Sequence, residues 1–488
     1  MTSCTAGPVV PWSLLVVASV GLGGTLAFGL GIDLRWWLLP TCMLAMAAVA
    51  RPRWPRLDGW LPNLAALLGV LAIGYGALAT PDRSWDGFAT WSLTARHLAA
   101  GATVDHPYFT DATVYHAARG YPLLQPLLLA QLTHWLGDHG GRVLFPLLWW
   151  WLLLSLREAL RAVDVEARPR RLATLGLAAV PLFVEPGHGS AESGFADLLL
   201  ATLLLHAGSA VLRGRLLAAL VVGLALPLAK QEGAWHAALW IAAAIGTGRG
   251  RPAMGLALGA SLAALSWAPV RARLLLQPEA AATQTLLAVA LPWVALLGAA
   301  ALRPPRRRWW LVAALLATAG LAVGQPTWLP AAIQASLADH AIAPAALLPI
   351  AGALLQHLVW LRKFGLSFVV LLAALAALRR HGSAATSALL RPLHCWWLGW
   401  LLTITLYLAS RGDLLELFLR EGLARYLAQS VGVVWLGIGL ALAQLGAGPA
   451  ASHDPAPGTP RGQATDATGP GDPPAPPGRS RGTAPASY

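Results

Sequence analysis

Over 488 residues the chain is 57% hydrophobic and only 12% charged, with a mean hydropathy of +0.59, against roughly 25% charged residues in an average soluble domain. A soluble core cannot hide that much apolar surface, whereas a bilayer can. The formal charge of +13 does not point to nucleic acid: most arginines fall in short loops between apolar runs, the positive-inside pattern, with no aromatic and basic stripe of the kind single-strand binders carry.

Apolar runs near the roughly 20 residues needed to cross the hydrocarbon recur along the chain; residues 60–80 form one without a single charge. The first 30 residues lack a basic leading region, so the first run is read as an uncleaved span. Basic clusters set the orientation: Arg51, Arg53 and Arg56; Arg157 to Arg171; Arg213 and Arg215; Arg249 and Arg251; Arg303 to Arg308; Arg379 to Arg391. With all of them cytoplasmic, an even number of spans separates each neighbouring pair. An opening hairpin at 10–30 and 36–50 is then followed by spans near 60–80, 143–156, 172–185, 195–212, 216–229, 233–248, 253–270, 282–302, 309–324, 364–378, 393–410 and 427–447, about 14 in all. This parity forbids the apolar stretch 122–135, which carries Pro122, Gln125, Pro126, Gln131 and His134, from spanning. It is expected as a helix in the outer interface, as are 343–360 and 414–427.

The expected fold is all-α, a polytopic transmembrane helical bundle with outer juxtamembrane interfacial helices. It divides into an N-terminal hairpin with a basic loop (1–59), a membrane domain (60–447) and a Pro- and Gly-rich disordered cytoplasmic tail (448–488). Under this topology 15 of the 22 acids face outward. An outward-facing active site is one reason for that bias; longer, more polar outer loops are the other. Cys4, Cys42 and Cys395 lie far apart with no CxxC, so they form neither a disulfide framework nor a zinc site.

Four outer places concentrate chemistry. Asp86 follows the outer end of a span between Trp85 and Trp91, with His106, Tyr108, Tyr115, His116 and Tyr121 in the loop beyond. A carboxylate there serves as a general base or holds a cation; a helix cap inside an aromatic belt accounts for the same residues. The loop Glu185 to Asp197, with His188 and Glu192, ends on an aspartate that starts a span, where it also complements the helix dipole. The turn Lys230-Gln231-Glu232-Gly233 carries one of only two lysines, the other being Lys363. A compact ammonium where arginine is the habit suits an acid such as Asp86 or Asp197, or a phosphate; a solvent-facing Lys230–Glu232 turn is the alternative. Last, Arg420, Arg425 and Tyr426 stand beside the final span, where guanidinium forks suit a lipid-anchored phosphate or simple interfacial anchoring.

In this order the pieces resemble the GT-C superfamily of polytopic membrane glycosyltransferases, which includes protein O-mannosyltransferases, aminoarabinose transferases and bacterial envelope enzymes fed by polyprenyl-phosphate sugars. The resemblance rests on Asp86 in the first large outer loop, Tyr121-Pro122-Leu123-Leu124, Gly194-Phe195-Ala196-Asp197-Leu198, Lys230-Gln231-Glu232-Gly233 and Arg425-Tyr426-Leu427, and covers roughly residues 60–445. It implies a multi-pass protein of a bacterial-type plasma (inner) membrane that transfers a sugar, with inversion, from a polyprenyl-phosphate donor to an envelope glycan, lipid or protein acceptor at the non-cytoplasmic face. By this analogy Asp86 is the base, and Asp197 assists through the acceptor or a divalent cation, Mg or Mn, held by Asp86 and Asp197. Lys230 and Arg425 bind the donor phosphate, with Glu232, Tyr426, His106, Tyr121, His188 and Glu192 as further substrate contacts. The chain departs from larger members of the superfamily in its opening hairpin and in lacking a sizeable soluble domain after the last span. A transporter or flippase of lipid-linked sugars would use the same outward groups for binding, although no paired halves of the kind such carriers show are visible; a polysaccharide polymerase or ligase, or a non-enzymatic scaffold, are further readings.

Overall fold

Backbone polar groups shielded from water have to bond within their own segment, which leaves apolar runs of this length the helix as their solution. The computed structural model describes residues 10–33, 57–79, 84, 87–111, 113–114, 119–185, 190–194, 196–275, 344–359, 361–381, 384–411 and 414–446, and among these there are helices and no strand. The main helices are α1 (Trp12–Gly29), α2 (Trp60–Ala79), α3 (Leu93–Ala99), α4 (Leu124–Gly140), α5 (Leu144–Arg161), α6 (Ala167–Ala178), α7 (Asp197–Arg213), α8 (Leu216–Ala229), α9 (Gln231–Gly246), α10 (Gly250–Leu275), α11 (Leu347–Val359), α12 (Ser367–His381), α13 (Ala384–Ala409) and α14 (Leu423–Gly446). The expected spans at 36–50, 282–302 and 309–324, and the tail 448–488, lie outside the described residues.

Among the described residues, five stretches are long and apolar enough to cross a membrane: Trp12–Gly29, Trp60–Ala79, Leu124–Arg161, Gly250–Leu274 and Leu415–Gly446. Others expected to span are shorter. α7, α8 and α9 have 17, 14 and 16 residues, and α6 stops at Ala178 with only the four-residue helix Pro181–Val184 beyond it. On α2 the large apolar side chains point outward, with Trp60, Leu64, Leu68, Leu71 and Tyr75 exposed, while Ala66, Ile73 and Ala77 face inward. This inverted arrangement suits an apolar surrounding.

Around α7 the packing is close. α14, α5 and α8 flank it, and α10 lies along α8 and α9. The α8–α10 crossing brings backbones together because Gly223, Gly255 and Gly259 carry no Cβ; a methyl group at Gly223 would lie 2.6 Å from the Leu256 carbonyl oxygen, and one at Gly255 or Gly259 would run into the backbone of α8. Small residues at such crossings are the usual device of membrane helices.

Two expected interfacial helices differ from expectation. In α4 the first eight residues, Leu124 to Gln131, are buried against α1 and α3; their polar groups turn inward, and the helix breaks at Gly137, whose φ is 77°. The stretch 414–427 is no separate helix: a π-helical turn, Phe418–Gly422, runs straight into α14. By contrast α11 does expose one apolar face, through Leu347, Leu348, Leu355 and Val359.

The described helices have two ends. At one, the segment before α2 is held by ion pairs: Asp58 accepts from Arg157 of α5 at 3.1 Å and from Arg170 of α6 at 2.8 Å. Burial alone would raise the Asp58 pKa, but the hydrogen bonds from Arg170 and Arg157 outweigh it and hold the carboxyl below its ordinary 3.8. α7 runs from Asp197 to Arg213, about 25 Å at 1.5 Å per residue, and at its far end Arg249 donates to the Val211 carbonyl oxygen at 2.8 Å. The polar segments preceding α4, α7 and α9 and the start of α14 gather at the Asp197 end.

Removing Asp58 strands two largely buried guanidinium groups. Asp58→Ala is expected to cost about 1–3 kcal/mol, read as a lower thermal midpoint in detergent at pH 7. A carboxyl whose folded pKa is depressed contributes fully above its unfolded value and loses that contribution as the pH falls through the folded one. The difference between wild type and variant should therefore shrink below pH 3.8; an undiminished gap in acid would assign the stability elsewhere.

Candidate functional site

Lys230 is the only residue between α8 and α9, in an extended conformation with φ −162° and ψ 155°. Pro227, with no N–H to donate, sits in the last turn of α8. Gly233 then lets the first turn of α9 press on the end of α8, for a Cβ there would collide with the Leu226 carbonyl oxygen. Its N–H bonds the Lys230 carbonyl at 2.9 Å. The Lys-x-Glu-Gly pattern thus has a backbone reason: it folds the lysine inward. Lys230 is 3% exposed.

Asp197 opens α7, just after Gly194 in the left-handed region with φ 86°. Gly194 and Ser193 receive the chain after α2: Ser84 Oγ donates to the Ser193 carbonyl at 2.7 Å and accepts from the Gly87 N–H at 2.9 Å. A Cβ on Gly87 would strike that same carbonyl oxygen, so this approach requires glycine. From the other side Gln125 of α4 donates to the Gly194 carbonyl at 2.7 Å.

The Asp197 carboxylate is the hub. Its Oδ1 accepts from Lys230 Nζ at 2.8 Å and from Gln429 Nε2 at 2.7 Å, and its Oδ2 from Arg425 Nε at 3.0 Å. Arg425 and Gln429 are four residues apart on α14 and so share one face. Because a carboxylate only accepts, the Gln429 amide must turn its NH2 to Asp197 and its oxygen to His236 Nε2, 3.1 Å away, which makes that nitrogen the donor. His236 lies against Trp400 with ring centroids 4.0 Å apart. Lys230 Nζ also contacts Glu232 Oε1 at 3.1 Å and lies 5.9 Å from the Tyr426 ring centroid, within cation–π range. The result is two cations and two carboxylates from elements far apart in sequence, with Asp197 and Lys230 buried and Glu232 and Arg425 partly buried.

No protein-family model, curated protein or solved structure matches the chain.

Of the residues expected to act together, Asp197, Lys230, Arg425, Glu232 and Tyr426 do meet. Tyr121 borders them: its ring meets Trp91 edge-on at 5.7 Å, and Gln231 donates to the neighbouring Gly120 carbonyl at 3.3 Å. His106 stands apart. Its Nδ1 accepts from the Tyr108 N–H at 3.1 Å, and its ring lies 5.4 Å from His97, whose pKa is lowered by burial and by His106. No hydrogen bond or ion pair among the described residues joins His106 to the Asp197 group. Asp86 and His188 lie outside the described residues; Glu192 is described only in its backbone, within the turn Ala191–Ser193.

The surroundings of Asp197 do not fit a divalent cation. Both carboxylate oxygens are engaged by donors, two of them cationic, and an ammonium and a guanidinium at 2.8 and 3.0 Å would repel a second positive ion. Among the described residues no group of three or more His, Cys, Asp or Glu side chains is arranged to hold a metal. Gln429, His236 and Gln125 were not anticipated from sequence. A signal existed for the first two: each is polar within a largely apolar helix, and each stands four residues after an expected site residue, Arg425 or Glu232.

Breaking one partner out of a buried ion pair costs about 3–5 kcal/mol, whereas replacing both by apolar groups is often neutral. Lys230→Met should therefore lower the thermal midpoint in detergent markedly, and because Asp197 also answers Arg425, the losses from Lys230→Met and Asp197→Leu should be less than additive in the double variant. Fully additive losses would show that the two residues are not coupled.

Proposed function

We propose that the chain is a polytopic membrane glycosyltransferase of the GT-C type, transferring a sugar from a polyprenyl-phosphate donor to an acceptor at the non-cytoplasmic face with inversion. One observation carries this reading: Lys230 and Arg425, 195 positions apart, converge on one buried carboxylate, Asp197, at the end of the helices where Ser84, Gly87 and the Gly120–Tyr121 segment also gather. The outward apolar face of α2 and the five membrane-length stretches among the described residues support a bilayer setting, and about 14 spans remain the arrangement that keeps all six basic clusters cytoplasmic.

In this mechanism the bond between the anomeric carbon and the phosphate oxygen breaks, and the electron pair leaves with the polyprenyl phosphate. The acceptor oxygen attacks from the opposite face and gives its proton to the Asp86 carboxylate. Negative charge grows on the departing phosphate, so cations held in place beforehand lower the barrier without reorganising. Asp197 takes a role different from a base or a metal ligand: it fixes the Lys230 ammonium and the Arg425 guanidinium side by side. The phosphate needs no proton to leave, which is why no acid is assigned. Of the residues near Asp86 in sequence, Ser84 and Gly87 are joined by a hydrogen bond and Ser84 is bonded to the Ser193 backbone.

Two measurements test this. Mass spectrometry of lipids copurifying with the protein should find a polyprenyl-phosphate species, and Asp86→Asn should abolish transfer while Lys230→Ala and Arg425→Ala weaken donor binding. Retained turnover in Asp86→Asn excludes it as the base, and binding with no transfer to any acceptor favours the carrier reading. For topology, single cysteines introduced at 105–111 into a chain freed of Cys4, Cys42 and Cys395 should react with an impermeant thiol reagent from outside, and those at 161–171 only after permeabilisation. The reverse pattern would turn the site toward the cytoplasm.

A further inference from the structure

Beside Asp197 lie acceptor atoms for which the described residues supply no donor. Glu232 binds Lys230 through Oε1 alone; its Oε2 is buried and has no hydrogen-bond partner among the described residues. Gln125 is fully buried. Its amide nitrogen is spent on the Gly194 carbonyl, three residues before Asp197, and its Oε1 likewise lacks a donor among the described residues. Buried acceptors left unpaired are costly, and of these two one is fastened to Lys230 and the other to the segment that launches Asp197.

A lipid-phosphate sugar has three parts, and only one of them matches this need. The isoprenoid chain has no polar hydrogen. The ionised phosphodiester only accepts. The glycosyl group donates, through its hydroxyls or an amino group. We propose, resting on the glycosyltransferase reading above, that Glu232 and Gln125 form the glycosyl-recognition subsite, accepting hydrogen bonds from a neutral or amino sugar. The division of labour is then spatial. Lys230 meets the phosphate on one side while holding Glu232 for the sugar on the other. A uronic acid is disfavoured, because its carboxylate would face Glu232.

The substitution Glu232→Gln separates the two duties. It replaces the unpaired acceptor by an NH2 group and removes a negative charge beside Lys230, so binding of a bare lipid phosphate should not weaken. Binding to the full-length protein in nanodiscs would be measured with polyprenyl phosphate and with the same lipid bearing glucose, mannose, galactose or glucosamine. Wild type should bind at least one glycosylated lipid more tightly than the bare phosphate. Glu232→Gln should reduce that sugar-dependent gain by about tenfold or more, and Gln125→Met should reduce it also, while Lys230→Ala weakens bare and glycosylated lipids alike. Should Gln125→Met fail to fold, the isosteric Glu232→Gln decides the matter alone. Tight binding of the bare phosphate with no sugar-dependent gain in wild type, or a gain unchanged in Glu232→Gln, overturns the subsite and leaves the transferase reading standing. Absence of binding to every lipid phosphate overturns both.

Discussion

A carboxylate removed from water must find its compensation nearby, and Asp197 finds it in two cations and an amide. That requirement draws α7, the α8–α9 turn and α14 to one point, because the ammonium, the guanidinium and Gln429 arrive on different elements. A single buried pair is a weak source of net stability, since desolvation offsets most of the attraction. Its strength here is geometric. Once Asp197 is buried, Lys230 and Arg425 have few other places to be, and both are held ready as fixed positive charge.

The backbone prepares this point before any side chain does. A one-residue connection at Lys230, a glycine at 233 that admits the Leu226 carbonyl, and glycines at 87 and 194 that bring two loops into contact are local solutions to close approach. π-helical turns stand next to it in two places, Gly87–Ser92 before α3 and Phe418–Gly422 before α14. Such turns are frequent at functional sites because they shift the register of the side chains that follow. The second redirects the chain directly ahead of Arg425.

Around this group the bundle is polar at both ends for different reasons. The Asp58, Arg157 and Arg170 cluster ties three elements in a largely structural way, with each charge answered by an opposite one. The Asp197 group is also balanced in formal charge, yet it retains acceptors that nothing in the described chain answers. Those unanswered acceptors make the phosphate-and-sugar reading a statement about particular atoms of Lys230, Glu232 and Gln125.

The helices were largely legible in the amino-acid sequence, because an apolar run of given length has one solution in an apolar medium; α8, at Leu216–Ala229, falls on the expected 216–229. That Lys230, Asp197 and Arg425 need partners was legible too, since a charge at the edge of an apolar run has to be answered by something. What sequence could not supply was the answer itself. Whether 122–135 lies on a surface or turns its glutamines inward depends on the helices that cover it, and Gln125 became visible only through its bond to Gly194. The same holds for Asp197, whose ordinary role at a helix start is to complement the dipole; the approach of α14 and the α8–α9 turn made it a hub. Periodicity is a local property and determined the elements, while pairing between residues 33 and 228 positions apart is a property of packing and was decided only in three dimensions.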